Sequence, residues 1–403
     1  MIMPRYKYSG RDRKGKKSGI VTAVSKREAM LQLKESGIRV QDIQEVPETF
    51  LTKEITIGNP VKLQDFVIYL RQFATLLKAG VTVVESTAIL AKQTESKALK
   101  RALMAVEQDL RDGLPLSDAA SRHKKIFSGM FVNMIKAGEA GGNMDETLER
   151  LAVHFEKQHY TKQKIISALA YPITVGIIAI AVVIFLLVSV VPTFVEMFKD
   201  FGGELPAITQ FVLSSSEFMQ QYWWVVIILF LAVFTGIVLI RNNKTSKYYL
   251  DYFLLRMPIF GKILQKAAIA RMTRTLSSLF SSSVPILQAL SIVESIVENE
   301  VMAKVIAKSR DSLEQGKSLT EPMKKHWVFP PLVSQMIAIG EESGSLDAML
   351  GKVADFYEKE VESATDRLKS LIEPLMIVFL ASIVGTIVTS IMVPMFEIFQ
   401  HVG

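Results

Sequence analysis

From Ile165 to Val195 the polar pattern stops: thirty-one positions carry no formal charge, bracketed by Pro172 and Pro192 and preceded by Lys162 and Lys164. At a rise of about 1.5 Å per residue, the roughly 20 residues between the prolines cover about 30 Å, the thickness of a bilayer's hydrocarbon core. The pattern therefore predicts a membrane-spanning helix. Pro374 and Pro394 bracket a second charge-free stretch at the same separation. A third apolar run, Phe218 to Ile240, lies between them, with Tyr222, Trp223 and Trp224 at one end as in a headgroup belt.

Elsewhere apolar residues recur at helical spacing. Phe66, Leu70, Phe73, Leu76 and Leu77 form one stripe closed by Gly80, and Leu99, Leu103, Val106 and Leu110 form another ahead of Gly113. Ser117, Phe131, Met134 and Ile135 fall in two shorter helices, and Leu148, Leu151 and Phe155 line a long one leading into the first span. Five or six helices around one core is the expected arrangement. The same pattern returns from Ala267 to Lys369, with Ile286, Leu290, Val293 and Val297 on one stripe and Val353, Phe356, Tyr357 and Val361 on another.

The recurrence is a duplication. An offset of 202 carries Gly138-Glu139 onto Gly340-Glu341, Gly142 onto Gly344, Asp145 onto Asp347, Phe155-Glu156 onto Tyr357-Glu358, and each span proline onto its partner. Upstream of Phe127 and Phe329 the offset becomes 203, aligning Arg71 with Arg274, Gly80-Val81 with Ser283-Val284, and Gly113 with Gly316. A unit of about 130 residues is too long for a solenoid repeat, so each copy is expected to be a domain.

Residues 4 to 46 predict a small separate module. Tyr6 and Tyr8, then Ile20, Thr22 and Val24, alternate like a β-hairpin; Ser25 with Glu28 has capping-box spacing for a helix ending at Gly37, and Ile38 to Val46 returns as a strand. Gly10 to Lys16 nearly spells a phosphate-binding loop, but Lys17 stands where that motif needs Ser or Thr, and the segment joins two strands rather than a strand and a helix. An exposed basic hairpin loop is expected there.

Charge orients the chain. Residues 1–168 carry 28 Lys plus Arg and residues 241–370 carry 18, whereas Glu196 to Gln221 holds only Lys199 and the tail after Lys369 none. The positive-inside rule puts both helical domains in the cytoplasm. The expected organisation is an N-terminal module 1–46, linker 47–62, first cytoplasmic domain 63–168, span 169–195, external loop 196–221, span 222–240, second cytoplasmic domain 241–370, span 371–396 and external tail 397–403. The fold class is thus a mainly α membrane protein, with two homologous cytoplasmic helical-bundle domains, three transmembrane helices and a small α+β N-terminal module. No secretory signal peptide is expected, since Arg5 to Lys17 has no apolar run behind it. The net charge of +7 fits domains beside anionic lipid; no basic helix interleaved with aromatics suggests nucleic acid. With no cysteine in the chain, single cysteines at Ser214 and Ser309 would report topology.

No nucleophile and base stand at a catalytic spacing, and His123, His154, His159, His326 and His401 lack metal-ligand spacing, so no enzyme and no cofactor are expected. The Gly-Glu motifs predict a tight interhelical turn, with Glu139 and Glu341 pairing with backbone amides or a nearby Arg to fix the long helix. The alternative is a weak cation site formed with Asp145 or Asp347, oxygen ligands being suited to a hard cation. Pro172 and Pro374 are expected to kink their helices at the membrane surface.

Ala137-Gly138-Glu139-Ala140-Gly141-Gly142 with Asp145 and Leu148, and Ile339-Gly340-Glu341-Glu342-Ser343-Gly344 with Asp347 and Leu350, resemble the repeated motif of the type II secretion F family. That family comprises inner-membrane platforms of type IV pili, type II secretion systems and competence pseudopili. Gly141-Gly142 departs from the more typical Ser-Gly. The resemblance implies a non-enzymatic scaffold in the inner membrane with several partners: a cytoplasmic hexameric assembly ATPase, a retraction ATPase being left open, pilin or pseudopilin subunits, other inner-membrane assembly proteins, and a second copy of itself. A small transporter or permease is the alternative, disfavoured because the spans lack a polar or broken midplane. Small residues at fourfold spacing, Ala232 with Gly236 and Ala381 with Gly385 and Thr389, suit close helix packing or self-association instead.

Overall fold

A computed structural model describes residues 5–12, 15–22, 26–35, 37–45, 60–194 and 206–402. The chain divides into two compact units, Met1–Pro60 and Val61–Gly403.

In the first unit β1 (Arg5–Asp12) and β2 (Gly15–Thr22) form an antiparallel hairpin, and β3 (Arg39–Glu45) pairs with the other edge of β1. The helix α1 (Lys26–Glu35) closes a core of Tyr6, Ala29, Leu33, Ile38 and Ile43. Gly10 to Asp12 belong to β1 and Gly15 to Lys17 to β2, so most of the segment expected as a hairpin loop is paired strand, a context in which a phosphate loop cannot aim amides from a helix N-terminus. The expected cap Ser25 lies outside the described residues.

The second unit is built from helices. In the first copy these are α2 (Leu63–Lys78), α3 (Val83–Gln93), α4 (Lys97–Arg111), α5 (Leu116–Ser121), α6 (Gly129–Gly141) and α7 (Met144–Phe185). The second copy repeats them as α10 (Phe260–Ser281), α11 (Ile286–Ile296), α12 (Glu300–Glu314), α13 (Glu321–Lys324), α14 (Pro331–Ser343) and α15 (Leu346–Val402). Between the copies run α8 (Ala207–Asn242) and α9 (Lys244–Arg256). Most of the periodic positions become core: Leu70, Phe73, Leu99, Leu103 and Val106 in one copy, and Leu276, Leu290, Val293, Val305 and Val353 in the other, are buried in one continuous apolar cluster, whereas Ile286 and Phe356, expected on the same stripes, lie at the edge of their helix faces and are exposed.

Among the described residues three helices are long and apolar enough to cross a membrane: Met144–Phe194, Ala207–Ile240 and Leu346–Val393. Their apolar flanks face outward, Phe230 73% and Leu239 64% exposed, a surface that lipid covers without cost but water does not. In both copies the last helix of the bundle and the span are one element, since α7 and α15 continue as helix through Pro172 and Pro374.

Along the spans, two places among the described residues leave ordinary helix. Leu186–Val190 forms a π-helical turn, closed by Val191 N–H onto Leu186 O. Pro192 has no amide to give to the turn below and its ring crowds that turn, so a widened turn just ahead of it relieves both defects. The second break is at Tyr222 in α8, where φ −117° and ψ 18° leave the helical region. Residues Ala207 to Gln221, expected as loop, are helical. They pack on the far ends of the other two spans, burying Val212 with Val191 and Ile387. There Thr209 Oγ1 donates to Ser390 O at 2.7 Å, and Ser216 Oγ donates to Leu187 O within the π turn.

Candidate functional site

The paired Gly-Glu turns are built alike. Gly142 and Gly344 close α6 and α14 at φ +70° and +69°, the left-handed conformation that glycine adopts without Cβ strain, and send the chain back as α7 and α15. Gly138 and Gly340 sit inside those helices, not in the interhelical turn expected of the Gly-Glu motifs. Each is where the returning long helix comes closest. A Cβ at Gly138 would lie 2.6 Å from Thr147 Oγ1, and one at Gly340 would lie 3.0 Å from Leu346 Cα. Asp145 and Asp347 occupy the first turns of the long helices, where a carboxylate suits the exposed amides.

Glu139 and Glu341 pair with backbone amides, but the element they fix is the short helix, not the long one. Glu139 accepts from Ser117 N at 3.2 Å and from Ser117 Oγ at 2.5 Å, at the start of α5. Glu341 accepts from Leu319 N at 3.0 Å and Ser318 Oγ at 2.8 Å, ahead of α13. Both oxygens of each carboxylate are thus engaged, and among the described residues no three His, Asp or Glu side chains converge as a metal site would need.

A second pair of polar ties joins helices far apart in sequence, where spacing gives no sign of it. Arg71 on α2 makes a bidentate contact with Glu156 on α7, its Nε 2.7 Å from Oε1, and also meets Glu149. Arg274 on α10 does the same with Glu358 on α15, its Nε and Nη2 each 2.8 Å from an oxygen, and also meets Asp355. Arg71 with Arg274 and Glu156 with Glu358 were already aligned by the duplication; only their mutual contact was hidden. Burial opposes the charge on Arg274, yet the hydrogen bonds to Glu358 and Asp355 hold its pKa above the ordinary value.

These ties join across the copies. On α7, Lys157, Tyr160 and Lys164 lie at i, i+3, i+7, and on α15 Asp355, Glu358 and Glu362 share that spacing, so both rows face one another. Lys157 Nζ stands 2.8 Å from Asp355 and 3.5 Å from Glu358, and Lys164 Nζ stands 2.5 Å from Glu362, which also accepts from Tyr160 OH at 3.3 Å. Arg274, Glu358, Lys157 and Asp355 form one network rather than isolated surface pairs, the arrangement in which ion pairs contribute most. Beside it His154 is buried with Nδ1 3.3 Å from Ser278 Oγ, and burial, then the charges of Arg274 and Arg271, push its pKa down to about 3. Toward the membrane the two long helices remain together, Gly176 facing Met376. The two rods are one cross-tied pair.

The comparisons agree with this duplicated design. Residues 69–192 and 272–394 each match the family described as type II secretion system (T2SS), protein F, and residues 3–44 match its N-terminal domain. The two matched segments begin 203 residues apart and end 202 apart, the same one-residue slip seen in the motifs. The chain is 40% identical over 401 residues, 98% of both chains, to a Thermus thermophilus protein named type IV pilus assembly protein PilC. It is 37% identical over 393 residues to the Myxococcus xanthus protein of that name, covering 97% of this chain and 93% of the relative. It is 34% identical over 414 residues to the type II secretion system protein F of Xanthomonas campestris pv. campestris, over the full length of both. The chain belongs to the type II secretion system protein F family.

Proposed function

We propose that this protein is a non-enzymatic platform of the inner membrane for a type IV pilus or a secretion pseudopilus. In this reading it receives a cytoplasmic hexameric assembly ATPase on its helical bundles and passes pilin or pseudopilin subunits to the base of the fibre. The observation that carries it is the pair of long helices. Each runs unbroken from a bundle into a span, and the two are tied by Lys157, Lys164, Asp355, Glu358 and Glu362, so a torque on either bundle is delivered to two spans together. The Gly-Glu turns act in it as joints that set where each rod leaves its bundle.

The orientation assigned by basic charge puts both bundles on the ATPase side. An impermeant thiol reagent applied from outside should label Ser214→Cys and spare a cytoplasmic site. Ser309 is fully buried and cannot serve, whereas Lys308 on the same helix is exposed. Labelling of Lys308→Cys with protection of Ser214→Cys would overturn the orientation. The function itself is tested by deleting the gene in a fibre-forming host and by pull-down with the full chain in detergent. Lost surface fibres and a co-purifying ATPase support the platform; normal fibres, or solute flux through reconstituted vesicles, would return the permease reading.

A further inference from the structure

The helix α9 follows the span α8 after a single residue, Asn243, whose φ −106° and ψ 119° break the helix and turn the chain. One face of α9 is fully used within the protein. Lys247 pairs with Glu300 at 3.1 Å, Asp251 accepts from Glu300 N at 2.8 Å at the start of α12, Lys304 lies 3.7 Å over the Tyr248 ring, and Leu255 is buried. The opposite face carries Tyr249 and Phe253, an i, i+4 pair of aromatic rings 69% and 65% exposed. The surface continues into the turn after α9, where Ile259 and Phe260 are also exposed. At that turn Ile259 holds φ +67°, which a β-branched residue adopts only under constraint. Gly261 passes so close to Leu255 O that a Cβ would come within 2.2 Å of it. Beside them Arg256 lies over the rings of Tyr252 and Trp327 at 5.1 and 5.2 Å, with Trp327 itself exposed.

A single exposed aromatic needs no explanation, but this set has a position and a charge. It starts where a span ends, and rings with an apolar body and a polar edge concentrate at that level of a bilayer. On the exposed side Arg256 and Lys262 stand beside these rings, while the one acid between Lys244 and Lys262, Asp251, points inward. An aromatic face with basic residues at its margin is the composition of a helix lying in an anionic headgroup layer.

We propose that α9 is such an interfacial helix: Tyr249, Phe253, Ile259, Phe260 and Trp327 rest in the headgroup layer of the bilayer and hold the second bundle against the membrane surface. The proposal rests on α8 being a span and not on the platform reading. It is tested with the full chain, which has no native cysteine, in vesicles of phosphatidylethanolamine and phosphatidylglycerol. A fluorophore at Phe253→Cys is compared with one at Ala348→Cys, an exposed site near the start of α15 and about 35 Å along that helix from its span. With a nitroxide on the lipid headgroup, Phe253→Cys should be quenched about threefold more strongly than Ala348→Cys. Tyr249→Cys should behave like Phe253→Cys. Equal quenching at positions 253 and 348 would overturn the proposal, as would efficient disulfide formation between two copies through Phe253→Cys, which would make the face a protein interface. Phe230→Cys with an acyl-chain nitroxide serves as the span control; failure to quench it would remove the span on which the proposal stands.

Discussion

The two copies of the helical domain differ in what fills their cores. The first core is aromatic, with Phe66, Tyr69, Phe73, Phe127, Phe131 and Phe155 touching ring to ring at centroid distances from 4.9 to 6.3 Å. By the offset of the repeat the same positions in the second copy hold Ile269, Met272, Leu276, Phe329, Val333 and Tyr357. What the copies share is polar and conformational: a carboxylate tying the short helix, a bidentate Arg–Glu pair tying the first helix to the long one, and a left-handed glycine at the turn. A core tolerates exchange of apolar shapes while volume is kept, whereas an amide or guanidinium without its partner costs the full desolvation. The duplicated domain has therefore kept its ties and let its filling drift.

The sharpest way to break this comparison is to remove filling and ties in parallel. Phe131→Ala should lower unfolding free energy by about 4 kcal/mol, and Val333→Ala at the matching site by about 2, because the ring leaves the larger cavity. Glu139→Ala and Glu341→Ala should instead lose about 2 kcal/mol each, since each strands a part-buried backbone amide. Denaturant titration of the full chain in detergent reads both sets. Unequal losses from the two glutamates, with equal losses from the two core sites, would invert the account.

His154 separates the copies by pH, because Phe356 is its counterpart under the offset. Its folded pKa, about 3, lies below the ordinary histidine value, so between roughly pH 6.5 and 3 the unfolded chain binds a proton that the folded chain refuses. The stability it permits is complete above pH 6.5 and falls by about 1 kcal/mol per unit as pH drops through that window. His154→Leu should flatten this part of the profile, measured as denaturation midpoint against pH, and an unchanged slope would place the titration elsewhere.

Two smaller effects sharpen the contrast further. Tyr69 is buried with its hydroxyl unpartnered among the described residues, so Tyr69→Phe should stabilise by about 1 kcal/mol, while Met272 in the second copy has no polar atom to relieve. At the first interhelical turn Gly80 has φ +84°, and the matching Ser283 is held at +59°. Ser283→Gly should then gain several tenths of a kcal/mol, and Gly80→Ser should lose about as much.

Much of the architecture was legible in the chain because helices and spans declare themselves by period and length. Leu99, Leu103 and Val106, or Val353 and Val361, needed only their spacing to be placed inside. The duplication likewise named Arg71, Glu156, Arg274 and Glu358 as aligned positions. Their pairing was not legible, since 85 residues separate the first Arg from its Glu and every amphipathic helix offers other charges. The Gly-Glu turn was read in the right place with the wrong attachment: a glutamate's partner depends on which helix passes within 3 Å, a tertiary fact. The π turn follows from Pro192 only in hindsight, because a proline can be relieved by a kink, a widened turn or solvent.

If the bundles drive the spans through stiff tied rods, as proposed, a flexible Gly-Ser insertion after Lys162 in α7 or after Lys369 in α15 should uncouple them. The measurement is surface fibre number in a host lacking its own copy, with pull-down of the ATPase as the control for folding and recruitment. The account predicts normal recruitment and loss of fibres from either insertion. Normal fibre numbers from both mutants would contradict it and leave the protein a passive anchor.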